Sequence, residues 1–138
     1  MINPPALALR RRAEELHASA TRELQHDQDT AALLLFYATE CGLKSIYMIQ
    51  NNLKDTSDER GSAISARSFF HNILLLADAL KIPKAIYAPY PNFELQRTKF
   101  KIDATQLHQA WRYGERVVDT RLVYAWLLKI IGWIKQNR

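Results

Sequence analysis

The stretch of residues 29–53 most constrains how this chain can fold, because its middle is apolar on almost every side of a helix. Leucine, isoleucine and aromatic residues recur there with no continuous polar face, and Glu40 and Lys44 are the exceptions. A helix that is apolar all round has to be enclosed by other elements. The sequence therefore predicts a central helix, capped by Asp29 or Thr30, inside a helical bundle.

Four further helices are predicted from apolar spacing and from start and stop signals. They cover about 3–25, a stretch from Ser65 or Ser68 to just before Pro83, 103–118, and 119–136. Asp103 and Gln106 have the spacing of a capping box, which marks a helix start. The 138 residues hold only four glycines and five prolines, a scarcity that favours long regular elements. We therefore predict one all-α domain over 1–138, a five-helix up-and-down bundle.

Two connections differ in character. Residues 54–67 are polar and predict a loop. Residues 85–93 contain two prolines and three aromatic residues, which predicts an ordered, non-helical loop that is either packed over the bundle or presented to a partner. We favour packing, since large exposed aromatic side chains are costly without a partner.

The last helix is also apolar over most of its surface, from Leu122 to Ile134. A bundle of this size usually encloses only one helix completely. The surplus predicts that the C-terminal helix buries a face against another chain, in a homodimer or a hetero-complex.

Composition limits the compartment and the partners. A single cysteine, Cys41, excludes an internal disulfide, fits a reducing cytoplasm and is expected in the core. We expect no signal peptide, because no apolar run follows Met1 before the charged stretch at Arg10-Arg11-Arg12. We expect no membrane span, because no uncharged stretch approaches about 18 to 20 apolar residues. The net charge is +5, and residues 81–138 hold 11 Lys/Arg against 4 Asp/Glu. This basic half indicates either an anionic partner such as RNA or a solvated basic surface.

The sequence contains no glycine-rich phosphate loop and no zinc-ligand spacing, so we predict no cofactor and no metal. Candidate chemistry instead centres on His71, expected in the first turn of the third helix with Arg67 one turn away on the same face. His71 is either a neutral base or a structural hydrogen-bonding group. Three further histidines, at positions 17, 26 and 108, are treated as surface or incidental.

Two other sets of residues are candidates for binding. Glu40 and Lys44 form either an internal ion pair, or a network reaching Arg112, or a polar pocket beside His71 that accepts a phosphate or a base. Next to the expected core residue Trp111, Arg112 is suited to grip a phosphate and Tyr113 to stack a base. Arg116 lies one helical turn after Arg112 and would extend it into a basic stripe along the helix.

Three segments in order resemble the HEPN-like domain family. Residues 34–45, with Glu40-Cys41-Gly42-Leu43-Lys44, resemble a helix common in that family. His71-Asn72-Ile73-Leu74 resembles the His-Asp-Leu opening of its next helix, with asparagine in place of the usual acid, and residues 111–114 resemble its Trp/Arg-Tyr element.

The resemblance implies a commonly dimeric helical bundle of toxin–antitoxin and phage-defence systems. Many members are metal-independent ribonucleases with an R-x(4–6)-H motif late in the chain. Here no arginine after Arg67 has that spacing, and Arg12 with His17, which fits it, lies in the first helix.

Three hypotheses follow. The first is a HEPN-like component that binds RNA or nucleotide between the second, third and fourth helices; if it cleaves RNA, His71 is the acid/base and Arg112 stabilises the phosphate. The second is a non-catalytic assembly module that docks a larger effector through the last helix and the 85–93 loop. The third is the antitoxin half of such a pair.

Overall fold

A computed structural model describes all residues, 1–138, and contains α-helices and 3₁₀ turns but no β-strand. There are six α-helices: α1 (Ala6–Glu23), α2 (Gln28–Gln50), α3 (Ile73–Ala79), α4 (Lys84–Tyr87), α5 (Leu107–Arg112) and α6 (Thr120–Asn137). The 3₁₀ turns are Ala66–Phe69 and Ala104–Gln106. The predicted all-α class is confirmed, and the count of five helices was wrong.

Helix α2 lies at the centre of the bundle and contacts α1, α3, α5 and α6. Its large apolar side chains are completely buried, including Leu35, Phe36, Leu43 and Met48. The predicted enclosure of this helix is therefore confirmed. Its cap differs from the prediction, because the Asp27 side chain accepts hydrogen bonds from the backbone N–H groups of Asp29 and Thr30.

By length and composition alone, α2 is long and apolar enough to cross a membrane, although no membrane span was expected from the sequence. Within the bundle, however, 67% of its most apolar 18-residue window is buried by the rest of the chain. A core helix of a globular bundle has this same character.

Helix α6 turns most of its apolar side chains toward its own chain. Val123, Trp126, Leu127 and Ile130 are buried against the other helices, and Leu122 and Leu128 remain exposed. The apolar surplus on this helix is therefore smaller than its composition indicates.

The predicted third helix is broken. A 3₁₀ turn ends at Phe69, Phe70 has a φ of 50°, and α3 starts only at Ile73. The break has a local cause, because the Asn72 side chain accepts a hydrogen bond from Leu75 N at 3.0 Å and so caps a new helix.

The predicted fourth helix is shorter than expected. The capping box at Asp103 and Gln106 is confirmed, but it opens a 3₁₀ turn that leads into α5. α5 ends at Arg112, because Gly114 has a φ of 80° and reverses the chain. Val118, predicted as helical, donates its backbone N–H to Glu94 O at 2.8 Å instead.

The aromatic loop packs on the bundle, as favoured from the sequence, although its first residues form the single turn α4. Tyr87 and Phe93 are buried, and the Phe93 ring centroid lies 5.4 Å from that of Trp126. Trp126 Nε1 also donates to Tyr87 O at 2.8 Å. The loop therefore covers the outer side of α6, with Tyr90 half exposed at its tip.

Candidate functional site

Glu40 projects from α2 and is the buried charge on which the site is built. It is 7% exposed, its Oε2 lies 2.7 Å from Lys44 Nζ, and its Oε1 lies 2.8 Å from His71 Nδ1. The predicted ion pair with Lys44 is confirmed. The alternative network reaching Arg112 does not form, because the second partner of the carboxylate is His71.

His71 lies two residues before α3 rather than in its first turn, so its expected place in the helix was wrong. The hydrogen bond from Nδ1 to Glu40 fixes the ring, and the side chain is 41% exposed. A histidine held through one ring nitrogen by a carboxylate leaves Nε2 to exchange protons. The arrangement combines an oriented imidazole with access from solvent.

His108, at the start of α5, completes a cluster that was not predicted from the sequence. It is 2% exposed, and its ring centroid lies 4.0 Å from that of His71. On its other side its ring stacks on Phe36, and its Nδ1 lies 3.5 Å from the Tyr37 hydroxyl. Treating His108 as incidental was wrong; its spacing of three residues from the expected core residue Trp111 was the available signal.

The surroundings of His108 favour its neutral form. Burial lowers its pKa, and electrostatic interaction with His71 and Arg112 lowers it further. The pKa of Tyr37 is raised by burial, so its hydroxyl keeps its proton at neutral pH. Both groups therefore present uncharged polar atoms to the His71 ring.

Arg112 lies four residues after His108, at the exposed end of α5. Its guanidinium carbon is 5.1 Å from the centroid of the exposed Tyr113 ring. No carboxylate pairs with Arg112, and its charge acts on both His108 and Tyr37. It is thus an unpaired cation at the edge of the histidine cluster.

Two predicted site residues lie elsewhere. Arg67 belongs to the separate 3₁₀ turn, and its Nη1 contacts Met1 Sδ at 3.1 Å, so it does not share a helical face with His71. Arg116 lies beyond the end of α5 and its Nη1 is 3.5 Å from Asp29 Oδ2, near the start of α2. The predicted stripe from Arg112 to Arg116 was therefore wrong, because the helix that would have carried it ends first.

A surface groove of about 480 Å³ passes over the two histidines. Its walls come from the turn before α3 and from the start of α5, and they include Phe70, Leu75 and Gln109. The groove joins apolar side chains to a floor of two imidazole rings. A single extended ligand strand fits such an open groove better than an enclosed small molecule.

Other potentially reactive groups do not join this site. No group of three or more His, Cys, Asp or Glu side chains is placed to hold a metal ion. Cys41 is partly buried against the core, as expected, and burial raises the pKa of its thiol to about 11. The thiol is therefore protonated and unreactive at neutral pH.

Residues 34–45, 71–74 and 111–114 thus contribute Glu40, His71 and Arg112 to one region around His108. A scan against protein-family models found no match, and searches among curated proteins and among solved structures found none either.

Proposed function

We propose that the protein is a HEPN-like, cytoplasmic component of a bacterial defence or toxin–antitoxin system that binds RNA and cleaves it without a metal. The observation that carries the proposal is the oriented His71 ring, held by Glu40 at 2.8 Å and open to solvent. The ring lies against His108, on which the charge of Arg112 acts. The three segments that resemble the family, including the helix that supplies Glu40, support the assignment.

The proposed chemistry needs only this chain's residues. His71 Nε2 takes the proton from a ribose 2′-hydroxyl, whose oxygen attacks the neighbouring phosphorus. The bond from phosphorus to the 5′-oxygen breaks, that oxygen takes the proton now held on His71 Nε2, and a 2′,3′-cyclic phosphate remains while His71 returns to its neutral form. Arg112 stabilises the charge on the phosphate, and His108 acts through His71 as a positioning residue.

Cleavage of a mixed RNA pool in EDTA by the purified protein tests the proposal. General acid–base catalysis contributes about 10²- to 10⁴-fold, so we expect His71→Ala to lose at least about 100-fold in rate. Arg112→Ala should also cut more slowly, whereas the exposed His26→Ala, which lies outside the groove, should cut like the wild type. Circular dichroism establishes that each variant is folded.

Two results would contradict the proposal. If folded His71→Ala cuts at the wild-type rate, the activity belongs to another site or to a contaminant. If the wild-type protein leaves RNA intact, the chain is not a ribonuclease.

The second result would favour a different function, a non-catalytic module that self-associates or docks an effector through its last helix. The supporting observation is an exposed apolar ridge on α6 formed by Leu122, Ala125 and Leu128. Leu24, at the end of α1, lies beside this ridge and is also exposed. The antitoxin half of a toxin–antitoxin pair would use the same surface.

A further inference from the structure

Phe70 has a backbone conformation that suits glycine better than phenylalanine. Its φ is 50° and its ψ is −121°, and Asn72 N donates to Phe69 O at 2.9 Å across the turn. These are the angles of the first central residue of a type II′ turn, a position dominated by glycine. A bulky side chain with positive φ is a genuine outlier, so the fold would be less strained with glycine here.

Burial of the Phe70 ring does not offset this backbone strain. Phe70 is 74% exposed. The turn and the Asn72 cap fix the backbone on either side of it, so the ring is presented on a rigid support. Strained residues concentrate at ligand-binding sites, where the geometry serves the ligand rather than the fold.

The position of the ring relates it to the histidine cluster. Phe70 immediately precedes His71 in the chain and lines the same groove, and Leu75 extends the apolar wall. Gln109, on the opposite wall, offers an exposed amide that can donate and accept hydrogen bonds. An apolar face, an amide and a nearby cation are the three groups that bind a base, its edge and its phosphate.

We propose that Phe70 is the stacking platform for one unpaired base of an RNA strand whose adjacent phosphate lies at His71 and Arg112. The inference rests on the proposed function and names its substrate determinant. Every base has a π-face, so stacking is tolerant of sequence. Bases within a duplex already stack on their neighbours, so Phe70 selects single-stranded over double-stranded RNA.

Binding rather than cleavage provides the test. Fluorescence anisotropy would measure the affinity of the full chain for a labelled 2′-O-methyl oligoribonucleotide, which has no attacking 2′-hydroxyl, as a single strand and as a duplex. Stacking on an aromatic side chain contributes enough that Phe70→Gly should weaken single-strand binding about 10-fold. Duplex binding should be weak and unchanged by the same substitution.

Stability should move in the opposite direction. Because glycine adopts a φ of 50° without steric strain, Phe70→Gly should melt at the same temperature as the wild type or higher. Phe70→Trp keeps a π-face and should retain single-strand binding. Phe100→Ala is the matched control, because Phe100 is 68% exposed but does not line the groove, and it should bind like the wild type.

The possible failures are distinguishable. If the wild type binds single-stranded RNA and Phe70→Gly binds it equally well, the stacking role is overturned while the proposed function stands. If the wild type binds no RNA, both are overturned. If Phe70→Gly melts at a lower temperature, or if it only dissociates an oligomer seen by light scattering, the ring serves the fold or a protein contact, and the stacking role is overturned.

Discussion

The long helices and the segment between them are built in different ways. Helices α1, α2 and α6 contain no non-glycine residue with positive φ, whereas all five such residues lie within 51–119. The long helices contribute a continuous apolar core and, on α2, the largely buried charge of Glu40 with its partner Lys44. The intervening segment contributes irregular turns and the side chains that meet that charge. The candidate site therefore lies where a regular scaffold supports an irregular surface.

The largest loss of stability is expected for a substitution at Glu40, where the long helices meet the irregular segment. Glu40→Gln leaves Lys44 charged and largely buried without its partner, which should lower the free energy of unfolding by about 3 kcal/mol. Urea unfolding at pH 7, followed by circular dichroism, measures the change.

A double variant separates the charge from the packing. Glu40→Gln with Lys44→Met removes both charges and should recover most of the lost stability. If the single variant unfolds within about 0.5 kcal/mol of the wild type, the Lys44 ammonium reaches water and the scaffold does not depend on this pair.

A smaller effect is expected within the irregular segment. Asn72→Ala removes the cap that separates α3 from the preceding turn, and loss of such a cap costs about 1 kcal/mol. Asn72→Asp, which keeps an accepting oxygen, is the control and should stay close to the wild type in the same urea titration. An unchanged Asn72→Ala would mean that packing of α3, rather than its cap, determines where the helix starts.

The smallest effect should appear on acidification. The pKa of His108 is lowered by burial below its ordinary value of 6.5, so below pH 6.5 the unfolded chain binds a proton that the folded chain resists. The free energy of unfolding should therefore fall as the pH drops from 6.5 through the lowered pKa of His108. Above pH 6.5 His108 is neutral in both states, so it should contribute no pH dependence. His108→Gln should lose less stability than the wild type between pH 7 and pH 5.5. Equal losses would show that His108 is already solvated in the folded state.

The regular region was predictable because its signals are local. The apolar surface of α2 predicted its central position, and the apolar run from Leu122 to Ile134 predicted the last helix, α6. The pair Glu40 and Lys44 followed from helical periodicity alone, since residues four apart share a face.

The irregular region was less predictable because its signals are weak or long-range. The turn at Phe70 contains no glycine or proline that would have predicted it. The only local signal for a new helix was Asn72, which precedes an apolar run. The approach of His108 to His71 depends on how α5 packs against α2, which no spacing within either segment encodes. The same limit explains why Arg67 and Arg116 were assigned to the site although they lie elsewhere.

The chain order of the scaffold has a consequence for how the site can change. Because α6 packs on α2, residues 51–119 form a closed loop whose two ends are anchored in the core. The entropy lost on closing a flexible loop grows only with the logarithm of its length, by about 0.6 kcal/mol for each doubling. Insertions on the exposed parts of this loop should therefore cost the bundle little, so that the groove can be reshaped while the helices that support it stay the same.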